Sequence, residues 1–347
     1  AQLEQSVAAR LPSLTVVARR ARRWALPLYA GSIAALTLVL VARLLLDIHG
    51  EVRWTWWGEA LFALVLLVAV SQLAVAIVNW LATLFVQPRT LPRMDYSRGI
   101  APESRTLVVV PTMLGSTESI EALVDALEVR FLANRDRHLH YGLLTDFHDA
   151  SEEHVAGDDA LVDFAAARIA ALNEKYAAGA EWDTFFLFHR PRRWNARDRL
   201  WMGYERKRGK LGDLNALLRG EEPAEGGDPF SRIVGRTDVL RSVRYVITLD
   251  SDTQLPRDAA AKIIATMAHP LHRPRFGKGV QKDIVVDGYG ILQPRVGLSL
   301  PSTNRSGYAR LYGGEPGIDP YTRAVSDVYQ DLFGEGSFIG KGIYDVD

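Results

Sequence analysis

Two stretches near the N-terminus break the ordinary alternation of apolar and polar positions. Residues 24–46 read WALPLYAGSIAALTLVLVARLLL with Arg43 as the one charge, and residues 60–86 carry no formal charge at all. About 20 apolar residues at 1.5 Å rise cross the hydrocarbon core of a bilayer, so each stretch predicts a membrane-spanning helix. Arg19, Arg20, Arg22 and Arg23 precede the first stretch, and Arg89, Arg93 and Arg98 follow the second. The connection between them sets Asp47, Glu51 and Glu59 against Arg53. An excess of arginine on the outer flanks places both outer ends in the cytoplasm and the short loop outside. Trp54, Trp56 and Trp57 stand at the loop–membrane junction, where amphipathic rings form belts. Gln72 and Asn79 are expected to face other helices and Arg43 to snorkel to the interface. Runs this long without charge argue against the buried helices of a soluble core, and a second span argues against a cleaved signal.

Beyond a Pro- and Arg-rich linker at 87–104 the pattern shifts to strand–helix alternation. TLVVV at 106–110 is a continuous apolar, β-branched run, as in a strand buried on both faces, and Pro111 and Gly115 are expected to end it. Ser116 and Thr117 offer N-caps for a helix whose apolar positions Ile120, Leu123, Val124 and Leu127 keep helical spacing to Phe131. Further strands are predicted at 139–145, ending at Asp146, at 184–188 (TFFLF) and at 243–249 (VRYVITL). Helices are predicted at 158–176 and, opened by Pro256, at 256–268. Such alternation implies right-handed crossovers and an α/β unit: a mostly parallel, Rossmann-like sheet with helices on both faces, behind a two-helix transmembrane hairpin. The expected division is 1–98 for the N-terminal segment, hairpin and linker, and 99–347 for the α/β domain.

Composition changes this picture little. The 41 Lys+Arg balance 41 Asp+Glu, which argues against a globally cationic nucleic-acid binder. There is no cysteine, which removes disulfides, thiolate metal sites and a cysteine nucleophile.

The candidate chemistry lies at strand ends, where ligands bind in open α/β sheets. One strand ends at Asp146 and another at Asp250-Ser251-Asp252. An Asp-x-Asp there offers oxygen ligands to a hard cation, Mg²⁺ or Mn²⁺, which would neutralise a diphosphate leaving group. The segment 190–210 holds nine Lys/Arg against Asp198 and Glu205. It reads as a solvated basic face, a lipid-headgroup patch or a nucleic-acid surface until KLGDLNAL is added. That string is expected to open a helix after a glycine, so that Lys210 and a helix N-terminus meet the phosphates of a sugar nucleotide. The eight histidines include no metal-spaced pair on a predicted helix.

The strings TLVVVPT, Asp146, KLGDLNALL and LDSDT, in that order, resemble inverting glycosyltransferases of the GT-A fold, especially membrane-embedded processive synthases similar to cellulose synthase. VITLDSDTQLP, AKIIATMAHPLHRP, GYGILQPRV and GEGSFIGKGIYDVD look like cyclic β-1,2-glucan synthases. The resemblance covers most of residues 100–347. It implies a cytosolic, UDP-glucose-dependent transferase domain using Mg²⁺ or Mn²⁺, multi-pass in a bacterial inner membrane, that lengthens a β-1,2-glucan acceptor. It also implies that the chain is a segment of a longer protein with further membrane helices and a phosphorylase-like domain. By resemblance Thr112, Asp146, Lys210, Asp213, Asn215 and Asp250 bind the donor, Asp252 with Asp250 holds the metal, and Gln293, Gly336, Ser337 and Lys341 lie toward the acceptor. Two positions depart from the pattern: Gly115 stands where an acid usually follows Pro-Thr, and Thr145 and Phe147 flank Asp146 without a second Asp. Asp331, Glu335, Asp345 and Asp347 are nearby acids, but the resemblance places the general base beyond Asp347. The alternatives are a related processive synthase making another linkage, and a donor-binding, membrane-docking piece inactive without the rest of its protein.

Overall fold

The computed structural model describes residues 24–49, 55–85, 91–176, 181–221, 228–279, 282, 284–294, 306–307 and 340–347. The chain divides into two compact units, one of residues 1–90 with 295–337 and one of residues 91–294 with 338–347.

In the first unit the two apolar runs form α1 (Ala25–His49) and α2 (Trp56–Phe85), which pack on each other. Both are long and apolar enough to cross a membrane, yet only 11% of either apolar window is buried. Leu38, Val39, Leu64, Val65 and Val68 all point outward. A soluble core helix would hide such side chains, so this surface suits lipid. The polar residues are handled within the pair. Buried Asn79 accepts a hydrogen bond of 2.7 Å from the Tyr29 hydroxyl, and Thr37 Oγ1 donates to the Ile33 carbonyl at 2.8 Å. Gln72 is exposed, its position falling on the outward face beside Leu73. Arg43 bonds Asp47 one turn on at 3.1 Å.

The second unit is built on β1 (Thr106–Leu114), α3 (Thr117–Ala133), β2 (Leu139–Phe147), α4 (Asp158–Tyr176) and β3 (Phe185–His189). A hairpin of β4 (Arg193–Asn195) and β5 (Leu200–Met202) leads into α5 (Arg206–Arg219). Then come β6 (Arg232–Val234), β7 (Tyr245–Thr248), α6 (Ala259–Met267), β8 (Arg275–Phe276), β9 (Val285–Asp287), β10 (Ile291–Leu292) and β11 (Gly342–Asp345). Seven of the strands make one sheet in the order β10-β11-β7-β1-β2-β3-β6. Its central four strands, β7, β1, β2 and β3, are parallel, and antiparallel β11 and β6 flank them.

The apolar strand runs supply both faces, as period-two geometry requires. Val108, Val110, Tyr141, Leu143, Phe185 and Leu187 face α3, α4 and α6, among Ile120, Leu127, Ile169 and Ile264. Leu107, Val109, Leu144, Phe186 and Phe188 face the other way, against Leu214 and Leu218 of α5. Each such side chain removed from water contributes about 1.5–3 kcal/mol. Ser116 caps α3 through a reciprocal pair, its Oγ accepting from Ser119 N at 3.2 Å while Ser119 Oγ accepts from Ser116 N at 3.0 Å.

Two boundaries differ from expectation for definite reasons. β1 does not stop at Pro111 but runs to Leu114. Its pairing with β7 ends at Val109, whose carbonyl accepts from Leu249 N at 3.0 Å, so Pro111, on the same side of β1, needs no donor there. α5 starts at Arg206, a full turn before Lys210, and contains Gly209. A Cβ at Gly209 would lie 2.3 Å from the Tyr204 carbonyl oxygen, so this glycine marks a close approach inside the helix and not its beginning.

Candidate functional site

From β1 the chain winds one way to β2 and β3, and β7 lies on the other side of β1. The C-terminal ends of β1 and β7 therefore flank a topological switch point, where open α/β sheets bind ligands. Thr112 sits at the end of β1 in register with Thr145 of β2, with Met113 and Asp146 the next pair. Asp250 and Asp252 follow the end of β7.

One group of charges here is buried. The Asp146 carboxylate is only 2% exposed. Arg190, next after β3, forks onto it, Nε to Oδ1 at 2.9 Å and Nη2 to Oδ2 at 3.1 Å. Lys210 Nζ lies 3.1 Å from Oδ2 and also donates to the Thr112 carbonyl. Arg190 Nη1 reaches Asp213 at 2.7 Å, and its Nη2 also donates to the Tyr204 carbonyl at 3.1 Å. Gly203 leaves the space for this packing, since a Cβ there would stand 2.2 Å from Asp146 Oδ2. Burial pulls the Lys210 ammonium below its ordinary value despite the neighbouring Asp146 charge. For Arg190 burial is opposed and outweighed by its bonds to Asp146 and Asp213, which hold its proton more tightly than usual. Asp146 thus works as a counter-ion that fixes two cations. A cleft of 340 Å³ opens beside Arg190 and Asp213, with Tyr204, Arg208 and Gly212 also on its wall.

A second group is half-open. Asp250 Oδ1 accepts from Lys207 Nζ at 2.7 Å, and Oδ2 lies 3.1 Å from Lys341 Nζ. Lys207 Nζ also donates to the Gly340 carbonyl at 2.6 Å. Burial alone would raise the Asp250 carboxyl, but the two lysines hold it below the usual carboxylate range. Asp252 points to solvent and accepts a 3.2 Å bond from the Thr253 hydroxyl. The turn that presents both acids is clamped from behind by buried Arg130 of α3, whose Nη2 donates to the carbonyls of Ser251 at 2.8 Å and Thr253 at 2.7 Å.

Asn215 accepts a 2.8 Å bond from the Tyr344 hydroxyl and so ties α5 to β11. Gln293 follows β10 and is half-buried. Gly336 and Ser337 lie outside the described residues, as do Asp331 and Glu335. Asp345 is bonded by Arg244 at 3.2 Å and Asp347 by Arg219 at 2.6 Å, so both acids are engaged elsewhere.

No group of three or more metal-ligating side chains occurs among the described residues. Mg²⁺ and Mn²⁺ suit one or two carboxylates together with substrate phosphates, and solvent-facing Asp252 fits that pattern better than doubly capped Asp250.

Thr112, Asp146, Lys210 and Asp213 converge in one network, and Asp250 joins Lys341 in the other. Arg190, Lys207 and Arg130 were not singled out by sequence. Lys207 stands three residues before Lys210, hence on the same helical face, a signal that appears only once α5 is started at Arg206.

No family model matches the chain. It is 42% identical over 278 residues to the cyclic β-(1,2)-glucan synthase NdvB of Rhizobium meliloti strain 1021, which covers 80% of this chain. The chain spans 10% of that relative's length. The identity bears out the resemblance to cyclic β-1,2-glucan synthases.

Proposed function

We propose that this relative of a cyclic β-(1,2)-glucan synthase segment is the donor-binding part of a membrane-anchored, GT-A-type glucosyltransferase. UDP-glucose is the donor and a growing β-1,2-glucan the acceptor. The observation that carries the reading is the switch point, where Asp250 at the end of β7 meets Lys207 of α5 and Asp252 faces solvent beside it. The two lipid-facing helices are read as a hairpin in a bacterial inner membrane with both outer ends cytoplasmic.

In this reading the acceptor hydroxyl attacks the anomeric carbon while the bond to the diphosphate breaks, UDP leaving with the electron pair and the configuration inverting. A base supplied outside the residues assigned above takes the hydroxyl proton. Arg130 keeps the Asp250–Thr253 turn rigid, so that Asp252 is presented without reorganisation. Asp252, with Asp250, would hold Mg²⁺ or Mn²⁺, which would supply positive charge to the leaving diphosphate. Lys210 and Arg190, fixed by Asp146, hold the ends of β1, β2 and α5 in one arrangement.

The test is UDP-glucose turnover by the full-length protein, with linkage determination of its product. Asp252→Asn is expected to lower turnover by at least 100-fold and to remove its metal dependence. Unchanged turnover would refute the role of Asp252, and a product without β-1,2 bonds would favour another linkage.

A further inference from the structure

The sequence points to Lys210 as the ammonium that meets the donor's phosphates, yet Lys210 is buried and committed to Asp146 and the Thr112 carbonyl. One turn earlier on the same face, Lys207 reaches half-open Asp250, and Lys341 approaches the same carboxylate from just before β11. Their ammonium groups take opposite oxygens of one carboxylate, so two positive charges share a single negative one. Lys207 leans further on the neutral Gly340 carbonyl. Arg130 adds a third cation behind the Asp250–Thr253 turn, and its Nη1 is buried without a partner. Positive charge thus exceeds negative at Asp250, and the cations with room to move are Lys207 and Lys341.

We propose that Lys207 and Lys341 form a two-armed clamp for the donor's diphosphate, with Asp250 holding both ammonium groups in position until the phosphates replace it. The clamp rests on the nucleotide-donor reading above and assigns within it a task that does not require the metal. Lys210 becomes a positioning residue that fixes the second turn of α5. Because Lys341 is contributed by the segment entering β11, diphosphate binding also pulls on that segment through Lys341 and through the Lys207–Gly340 bond.

Calorimetric titration of the full chain in lipid nanodiscs tests this, with pyrophosphate and UDP each added in EDTA and in Mn²⁺. The wild-type chain is expected to bind pyrophosphate in EDTA. Lys207→Gln and Lys341→Gln should each weaken that binding about 5- to 20-fold, and Lys207→Arg should restore most of it. Asp250→Asn should tighten pyrophosphate binding in the wild-type background and leave it unchanged when both lysines are Gln, a dependence that a purely structural ion pair does not produce. Melting temperatures within a few degrees of wild type would establish that the variants are folded. If wild type binds UDP while pyrophosphate binding in EDTA is absent, or is unaffected by losing either lysine, the clamp is overturned and the donor reading stands. If UDP does not bind even with Mn²⁺, the donor reading itself falls and takes the clamp with it.

Discussion

The two units answer opposite solvents with the same amino acids. In α1 and α2 the leucines and valines face outward, and the few polar groups turn inward to each other, as Tyr29 does to Asn79. In the α/β unit Leu107, Val109, Phe186 and Phe188 are sealed inside, while charges gather where the strands end. Some of those charges are buried too. Asp146, Arg190 and Lys210 are 2%, 5% and 4% exposed. A hairpin suited to lipid gains by lacking charge, whereas the α/β unit accepts the cost of buried ions to fix the geometry at its strand ends.

The largest expected effect breaks that buried network. Asp146→Ala leaves Arg190 and Lys210 buried without their shared counter-ion, and removing one partner of such a set costs about 3–5 kcal/mol. Hydrogen exchange of the β1 and β2 amides in the detergent-solubilised chain should report that loss. A cost below about 1 kcal/mol would mean that water or Asp213 compensates both cations.

The hairpin responds to the opposite change. Leu64→Lys, in the middle of α2 and facing outward, should reduce membrane insertion by about 3 kcal/mol, as read by fractionation of inserted against soluble chain. Leu132→Lys on an exposed site of α3 should change stability by no more than about 0.5 kcal/mol. Equal tolerance at the two sites would erase the distinction between the units.

Acid should destabilise the α/β unit. His140 and His189 are buried neutral, and burial pulls each down to about 4. An unfolded histidine titrates near 6.5, so between the two values the unfolded chain binds more protons than the folded one. Their contribution is whole above about pH 6.5 and is lost as the pH falls toward 4, costing about 2 kcal/mol per histidine by pH 5. His140→Gln should remove its share of the slope from a melting-temperature profile, and a flat profile between pH 6.5 and 4 would contradict the buried neutral state.

Much of this organisation was legible along the chain. The long, nearly charge-free runs mark α1 and α2, the bounds of α4 match its amphipathic stretch, and Asp250 and Asp252 are visible as acids closing a β-branched run. What escaped depends on partners far apart in sequence. The buried setting of Asp146 is not visible along the chain, because the guanidinium that covers it comes 44 residues later. Reading Gly209 as a helix boundary hides Lys207, although it is the tight contact with the Tyr204 carbonyl that requires glycine there. Antiparallel β11, which brings Lys341 to Asp250, belongs to no strand–helix repeat and carries no periodic signal of its own.

The claim that the switch point at the ends of β1 and β7 receives a nucleoside diphosphate is tested most directly by photoaffinity labelling. The full chain in nanodiscs with Mn²⁺ would be irradiated with UDP carrying a photoreactive uracil, and the labelled peptides mapped. Label at the ends of β1 and β2, around residues 112–117 and 146–149, that is abolished by excess UDP is the predicted result. Competable label confined to other strands or to the hairpin would contradict it.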